Sequence, residues 1–349
     1  MNNIEKVKLK LIAEKFDIGK CLSVAPVAQG LINETFVVEA NKGKYILQKL
    51  HKIFSVDIVE NIRVVTEHLL TNKETTPIII KTNSGENILT QYDCNWRMMT
   101  FVDGNSFDKI PDALHAKEAG ILVGRFHNIL ANLEYDFKSE FKNWHNTAFY
   151  ISRLKETADK YKNTKKYLEL EKLKDDILYE YNGQHQIIFS GNNVVHGDLK
   201  INNLMFDTNS KALCLIDLDT LHQADILAEL GDAVRSWCNS VEGISEVSSE
   251  FDLHTFEAMM SGYISENKNL ISAEKLLSVP NAAAQIALEL SARFLEDAYA
   301  ESYFKLDKSN YKTLLEQNFT EAEKQFNLYK DINKKASKAE KIIKNLLNE

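Results

Sequence analysis

The stretch VVHGDLKINNLMFD, residues 194–207, opens on Val194 and Val195 and closes on Leu204, Met205 and Phe206. Between them His196, Asp198, Lys200, Asn202 and Asn203 crowd into one polar segment. Apolar runs on both sides of such a segment predict a short strand, a loop and another short strand. Strands of that kind hold the loop's side chains rigidly, which is what a reaction centre needs. The plainer alternative is an Asx-rich turn joining two strands, with no chemistry of its own.

What lies downstream weighs against the plain turn. Asp198 precedes Asn203 by five residues, and after Asn203 the apolar run CLIDLDT leads to Asp217 and Asp219. Phosphoryl transfer from a nucleotide needs a base to orient the attacking hydroxyl and oxygen ligands to hold magnesium on the phosphates. Asp198 can supply the first; Asn203 and Asp217 can supply the second. Protein kinases use the same layout, H-R-D-x-x-x-x-N followed by an aspartate on a later strand. A histidine and an aspartate two apart are a weak signal alone, whereas HGDxxxxN between apolar strands followed by IDxD is a strong one. With Asp198 in the catalytic position, His196 is expected to support the loop by hydrogen bonding. Asp219 reads as a third metal ligand or a substrate contact.

Working outward, the texture of the chain changes once. From Val24 to about Val102 short β-like runs dominate, TFVVEA, KYILQKL, TPIIIKT, ENILTQY and WRMMTFV, interrupted by one amphipathic helix from Val56 to Leu70. After Asp103 and Gly104 the pattern is mostly helical. The fold class expected is α+β: a small β-rich N-terminal lobe with one main helix at 1–103 and a larger, mostly helical lobe at 104–349. A length of 349 residues exceeds one ordinary core and agrees with two lobes. A net charge of −8 argues against a nucleic-acid partner, which would call for a basic face. The charged start lacks a signal peptide's apolar core, and no run approaches the length of a membrane span. Cys21, Cys94, Cys214 and Cys238 form no CxxC pair, which argues against zinc and for reduced thiols. The expectation is a cytoplasmic chain with no membrane association and no evident protein partner. The lysine-rich C-terminal helix reads as a solvated face over a partly buried stripe.

Further segments carry a resemblance. GLINETFVV and YILQKL stand near the start, VENIRVVTEHL in the first long helix and WRMMTFVDG at the lobe junction. EAGILVGRFH, IDLDTLHQAD and GDAVRS follow, then RFLEDAYAESYFK. In that order they resemble the aminoglycoside phosphotransferase and choline kinase superfamily, which shares the protein-kinase fold, and within it the N-acetylhexosamine 1-kinases. The resemblance implies a two-lobe kinase fold, ATP and Mg2+ as cofactors, and a small-molecule sugar phosphorylated on its anomeric (1-) hydroxyl. The chain departs from protein kinases in having no GxGxxG, DFG or APE segment, which argues against a protein substrate.

The nucleotide loop is expected around Gln29, Gly30, Leu31, Ile32 and Asn33, although Gly30 fits an ordinary turn equally well. Kinases place a lysine on the third strand, paired with a glutamate of the first helix. In KYILQKL the register puts Gln48 in that slot and Lys49 on the opposite face. Either Gln48 contacts the phosphates as a neutral donor or Lys49 bends in from a bulge. Glu60 is the helix carboxylate expected to pair with it, Glu67 the second choice; a solvated helix face explains both as well. Phe101, Val102 and Asp103, with Gly104, hold the position of a hinge whose backbone reads adenine.

On the acceptor side, residues 293–303 mix Arg293 and Tyr303 with Glu296, Asp297 and Glu301, and so make no acidic box for a cation. The resemblance assigns Arg293 and Tyr303 to the hydroxyls and carbonyl of an N-acetyl sugar. On helical spacing alone Arg293 fits a surface position and Tyr303 a core one. His145 and Asn146, in NWHNTAFYISR, are further acceptor-side candidates, and His145 also fits a neighbour of a helix cap. A kinase for homoserine, a thiosugar, choline or ethanolamine, or an aminoglycoside is the alternative within enzymes. From another class comes a non-catalytic nucleotide-binding module, against which the intact Asp198, Asn203 and Asp217 set speaks.

Overall fold

The computed structural model describes residues 3–27, 33–52, 55–138, 141–240, 247–267 and 269–348. The elements begin with α1 (Asn3–Ala13), β1 (Cys21–Pro26), β2 (Glu34–Ala40), β3 (Gly43–Lys49) and α2 (Ile58–Thr71). Next come β4 (Ile79–Ile80), β5 (Leu89–Gln91), β6 (Cys94–Thr100), α3 (Ala113–Leu130), α4 (Thr147–Lys160) and α5 (Lys165–Gly183). The quoted stretch supplies β7 (Asn193–Val195) and β8 (Leu204–Phe206), followed by β9 (Ala212–Leu215) and β10 (His222–Ala224). Five helices complete the chain: α6 (Ile226–Trp237), α7 (Leu253–Asn267), α8 (Ala273–Leu277), α9 (Val279–Ala300) and α10 (Leu314–Asn348). Two compact units result. One gathers residues 1–106, 128–140 and 203–223, the other 107–127, 141–202 and 224–349.

The first unit is built on an antiparallel sheet of order β1-β2-β3-β6-β4, with β5 on β6. Alternation along the strands sorts its residues by face. Phe36 and Val38 of β2, Tyr45 and Leu47 of β3, and Trp96 and Met98 of β6 form one buried cluster with Leu9, Ile12, Ala13 and Phe16 of the N-terminal segment. The helix expected over Val56 to Leu70 is α2, whose Ile58, Ile62, Val65 and Leu69 are buried. Buried Asn61 in α2 tethers a later segment: its Oδ1 accepts the Tyr135 hydroxyl at 3.1 Å and the Lys138 N–H at 3.2 Å. Asn105 exchanges two 2.8 Å backbone bonds with Phe206, tying the segment after Gly104 to β8. A Cβ on Gly104 would stand 2.9 Å from the Phe206 carbonyl oxygen, so this close approach requires glycine.

The second unit is helical and organised on α9, which α4, α6 and α10 pack against. Ala282, Ala283, Ala284, Ala287 and Ala292 are buried along it, and their small side chains let neighbours approach from several sides. The same helix carries Glu289 and Asp297 into the interior at 0% exposure. Asp297 accepts the backbone N–H groups of Ser302, Tyr303 and Phe304 at 2.7–2.9 Å and the Asn318 amide at 2.9 Å. It thereby fixes the turn beyond Glu301, whose left-handed backbone ends the helix. Buried carboxylates need such partners, and here the DAYAESYF segment supplies them locally. Among the described residues no helix is long and apolar enough to cross a membrane.

Candidate active site

In the helical unit, β7 leads into a loop held from three sides. Gly197 adopts φ 85°, a left-handed conformation that favours glycine. Its N–H donates to Glu229 Oε1 at 2.7 Å, and its carbonyl accepts the Trp144 indole N–H at 3.1 Å. The Leu199 carbonyl accepts the Trp237 indole at 2.6 Å. Fully buried His196 accepts the Asp198 N–H on Nδ1 at 3.3 Å, which requires that nitrogen to be unprotonated. Glu229 is itself anchored: its Oε2 lies 2.5 Å from His127 Nε2, and His127 Nδ1 lies 3.0 Å from the Tyr263 hydroxyl. A backbone bound at successive residues by buried groups has little freedom left, and Asp198 sits in the middle of it. The Asp198 carboxylate is half-buried and pairs with Lys200 Nζ at 2.8 Å.

The same unit holds the acceptor-side candidates near this loop. Trp144, bonded to Gly197, stacks edge-on with His145 at 4.3 Å between ring centroids. Asn143 and His145 both have positive φ, at 62° and 47°, a strained arrangement for non-glycine residues. His145 Nδ1 lies 3.2 Å from Glu289 Oε1, and Thr147 Oγ1 donates to Glu289 Oε2 at 2.9 Å. Arg293 stands 3.9 Å from Glu289 and lies over the Tyr150 ring at 4.6 Å. Asp232, below the surface, is held by Arg235 at 2.8 Å. Burial works to raise its carboxyl, but Arg235, His145 and Arg293 together hold it below the usual carboxylate range. The Tyr150 phenol is pushed up by burial, with Glu289 and Tyr303 adding and Arg293 opposing, so it stays a neutral hydrogen-bond donor at neutral pH. Tyr303 is 67% exposed. Asn146 serves as the N-cap of α4, its side chain accepting the Phe149 N–H at 3.1 Å.

In the β-rich unit, Asn203 and Asp217 flank the β8–β9 hairpin. The Asn203 carbonyl accepts the Ile216 N–H at 2.8 Å, and Asp217 takes a left-handed φ of 59°. Asn203 is 5% exposed. Two hard oxygen side chains fit magnesium, which binds through few protein ligands and completes its shell with phosphate and water. Among the described residues there is no cluster of three or more His, Cys, Asp or Glu that would make a transition-metal cage.

The other nucleotide-side candidates are distributed unevenly. Gly30, with Gln29, Leu31 and Ile32, lies outside the described residues. Asn33 is buried; its Nδ2 donates to Asp219 Oδ2 at 2.5 Å and its Oδ1 accepts the His51 N–H at 2.9 Å. Lys49 pairs with Glu34 at 2.6 Å toward solvent, and that bond holds its ammonium above the usual range. Glu60 is bound by Arg63 one helical turn on, whose hydrogen bonds hold the carboxyl below the usual range; Arg63 also takes Glu67. Among the described residues no ion pair joins Lys49 to Glu60, so the expected strand–helix pair does not form in the helix-to-β3 sense. Gln48 points to the other face and accepts from Arg97 Nε at 2.9 Å. At the expected hinge, the Phe101 N–H donates to the Lys44 carbonyl at 3.1 Å. The backbone groups of Val102 and Asp103 have no protein partner among the described residues and are available to a ligand. Both line a groove of about 500 Å³ with Thr76, Ile78, Phe101 and Leu213.

Arg97, Trp144 and Glu229 stand outside the set of site residues expected from residue types. Arg97 carried a signal, being the one charge within the otherwise apolar or neutral run WRMMTFV. Trp144 carried none. Asp219, expected as a metal ligand or substrate contact, has both oxygens engaged, by Arg97 and Asn33.

Comparison with known proteins gives three kinds of likeness. A family profile described as "Phosphotransferase enzyme family" (APH) matches residues 23–246. A homoserine kinase of Sinorhizobium fredii is 23% identical over 290 residues, covering 81% of each chain. Among solved structures, an aminoglycoside phosphotransferase from Alicyclobacillus acidocaldarius superposes with a TM-score of 0.62 at 14% identity, over 97% of both chains. A choline kinase from Cryptosporidium parvum gives 0.61 at 14% identity, over 98% of this chain and 99% of its own. At such identities the structures establish the kinase-like α+β fold.

Proposed function

Because the chain belongs to the phosphotransferase enzyme family, we propose that it is an ATP-dependent kinase acting on the anomeric (1-) hydroxyl of an N-acetylhexosamine. The carrying observation is the polar cluster tied to the Asp198 loop through Trp144 and Gly197. In it Arg235 and Arg293 are balanced by Asp232 and Glu289. A site for choline, an amino alcohol or an aminoglycoside needs net negative charge or an aromatic cage. A balanced set of fixed donors and acceptors with Tyr150 and Trp144 beside it suits a neutral sugar with hydroxyls and an amide. Tyr303 would add a donor at the rim.

Asp198 orients the acceptor hydroxyl and takes its proton. An anomeric hydroxyl is more acidic than an ordinary alcohol, so a carboxylate paired with Lys200 is a sufficient base. Lys200, paired with Asp198, would place positive charge beside the incoming phosphoryl group. Asn203 and Asp217 would hold magnesium, which when bound neutralises charge on the nucleotide phosphates. The Val102 and Asp103 backbone would receive adenine. Phosphoryl transfer is loose and involves little covalent chemistry by the protein, so rigid placement of Asp198 by His196, Glu229 and Trp144 is the main contribution of these residues. A cytoplasmic location, where ATP and free sugars meet, belongs to the same reading.

A second reading is a homoserine kinase, favoured by the name of the Sinorhizobium relative; the arginines would then meet an amino-acid carboxylate. ADP release with N-acetylglucosamine, N-acetylgalactosamine, their 1-O-methyl glycosides, homoserine, choline and kanamycin separates the two. The expected result is turnover of a free N-acetyl sugar with phosphate on carbon one and inert methyl glycosides. Arg293→Ala and Tyr303→Phe should raise the sugar KM before ATP binding changes. Phosphate on carbon six, or homoserine turning over faster than either sugar, overturns the sugar assignment.

A further inference from the structure

The β-rich unit carries a buried cation that the reaction has not yet used. Register pairs Thr35 with Gln48 across β2 and β3, and Gln48 with Arg97 across β3 and β6. By strand alternation these three occupy one row, on the face opposite the cluster formed with α1. The Gln48 amide N–H donates to Thr35 Oγ1 at 3.2 Å, which turns its Oε1 toward the Arg97 Nε at 2.9 Å. Arg97 Nη1 pairs with Asp219 Oδ1, and the two side chains are 1% and 3% exposed. Asp219 Oδ2 accepts from Asn33, which in turn holds the His51 N–H. One hydrogen-bonded chain therefore runs from β2 to the turn that follows Asp217 and to the end of the expected nucleotide loop.

Burying a guanidinium and a carboxylate together is costly, and apolar residues of similar size are often as stable or more so. Their presence here, two residues from Asp217, calls for a use beyond folding. Kinases place a lysine–glutamate pair on the third strand and first helix to hold the nucleotide phosphates. In this chain both ingredients are diverted: Lys49 to Glu34 and Glu60 to Arg63.

We propose that Arg97 is the phosphate-contacting cation of this enzyme, moved from β3 to the neighbouring strand β6, with Asp219 in place of the helix glutamate and Gln48 as its orienting partner. An arginine suits the place because its planar fork offers donors in several directions at once, so it can keep Gln48 and Asp219 while addressing a phosphate oxygen. This rests on the nucleotide-dependent reading above but not on the identity of the acceptor.

The test is binding, not turnover. Dissociation constants of ATP and of adenosine are measured by calorimetry for the parent, for Arg97→Met, and for Arg97→Met combined with Gln48→Lys, with circular dichroism as the check of folding. Arg97→Met is expected to weaken ATP about tenfold to a hundredfold, the loss of one charge-assisted hydrogen bond, and to leave adenosine within about twofold. Gln48→Lys, returning a cation to β3, should recover part of the ATP loss and none of any adenosine loss. If Arg97→Met alone does not fold, Arg97→Met with Asp219→Asn removes both charges and is read in the same way. Unchanged ATP affinity in a folded variant, or equal losses for ATP and adenosine, overturns the proposal and leaves Arg97 a folding residue. A parent that binds no ATP would instead remove the nucleotide reading itself.

Discussion

Glu229 is the most informative residue to change after the reacting groups, because it joins the loop to the helical core through two bonds. It is 1% exposed, accepts the Gly197 N–H at 2.7 Å and faces His127 Nε2 at 2.5 Å. Glu229→Ala leaves the part-buried Gly197 N–H and a buried imidazole nitrogen without this partner and opens a cavity. The loss expected is about 3–5 kcal/mol, from unpaired polar groups at about 1–3 kcal/mol each together with the cavity. Glu229→Gln keeps the shape. Its Oε1 can still accept from Gly197 and its amide N–H can face His127 Nε2, provided the imidazole proton moves to Nδ1 and is donated to the Tyr263 hydroxyl. That exchange sacrifices only the charge assistance, about 1 kcal/mol. Urea unfolding followed by circular dichroism separates the two cases. Because Gly197 adjoins Asp198, kcat at saturating ATP should fall in both variants, more in the alanine, with ATP affinity unchanged. An alanine variant within about 1 kcal/mol of the parent, or a glutamine variant as damaged as the alanine, would refute the reasoning that Glu229 holds the loop.

The remaining expectations follow from the same geometry. Asp198→Asn should retain nucleotide binding and lose turnover by about two to four orders of magnitude, as expected for removal of a general base; steady-state and binding measurements on one preparation check this. Asp217→Ala should fold as the parent does and lose the magnesium dependence of ATP binding, read by titrating ATP with and without the metal. Asp232 has a folded carboxyl held below its unfolded value, so its contribution to stability is full above the unfolded pKa of about 4 and is lost as pH falls through the folded one. The Tm of Asp232→Asn should therefore lie below the parent's at pH 7, and the gap should narrow as the pH falls below about 4; a constant gap would show that its ionisation is not linked to folding.

Much of the architecture is local and so was legible. The strand–loop–strand around Asp198 follows from two apolar runs enclosing polar residues, and β7 and β8 form where those runs predict. The helix expected over Val56 to Leu70 forms as α2 because its apolar spacing is helical and one face can be buried. Asn203 and Asp217 likewise stand at the two ends of the β8–β9 hairpin, so local chain geometry sets how far apart they lie.

The partners are another matter. Glu60 and Lys49 have the residue types of a kinase ion pair, yet each finds a nearer counter-ion, Arg63 one helical turn away and Glu34 on the adjacent strand. Arg97 meets Asp219 across 122 positions, His127 meets Glu229 across 102, and His145 meets Glu289 across 144. No periodicity encodes such pairings, because a buried ion and a solvated one are the same letter. The residue types and spacing in the sequence determined which chemistry the chain could perform. Only the packed backbone decided which charges lost their water, and a charge without water must take whichever partner the fold brings within reach.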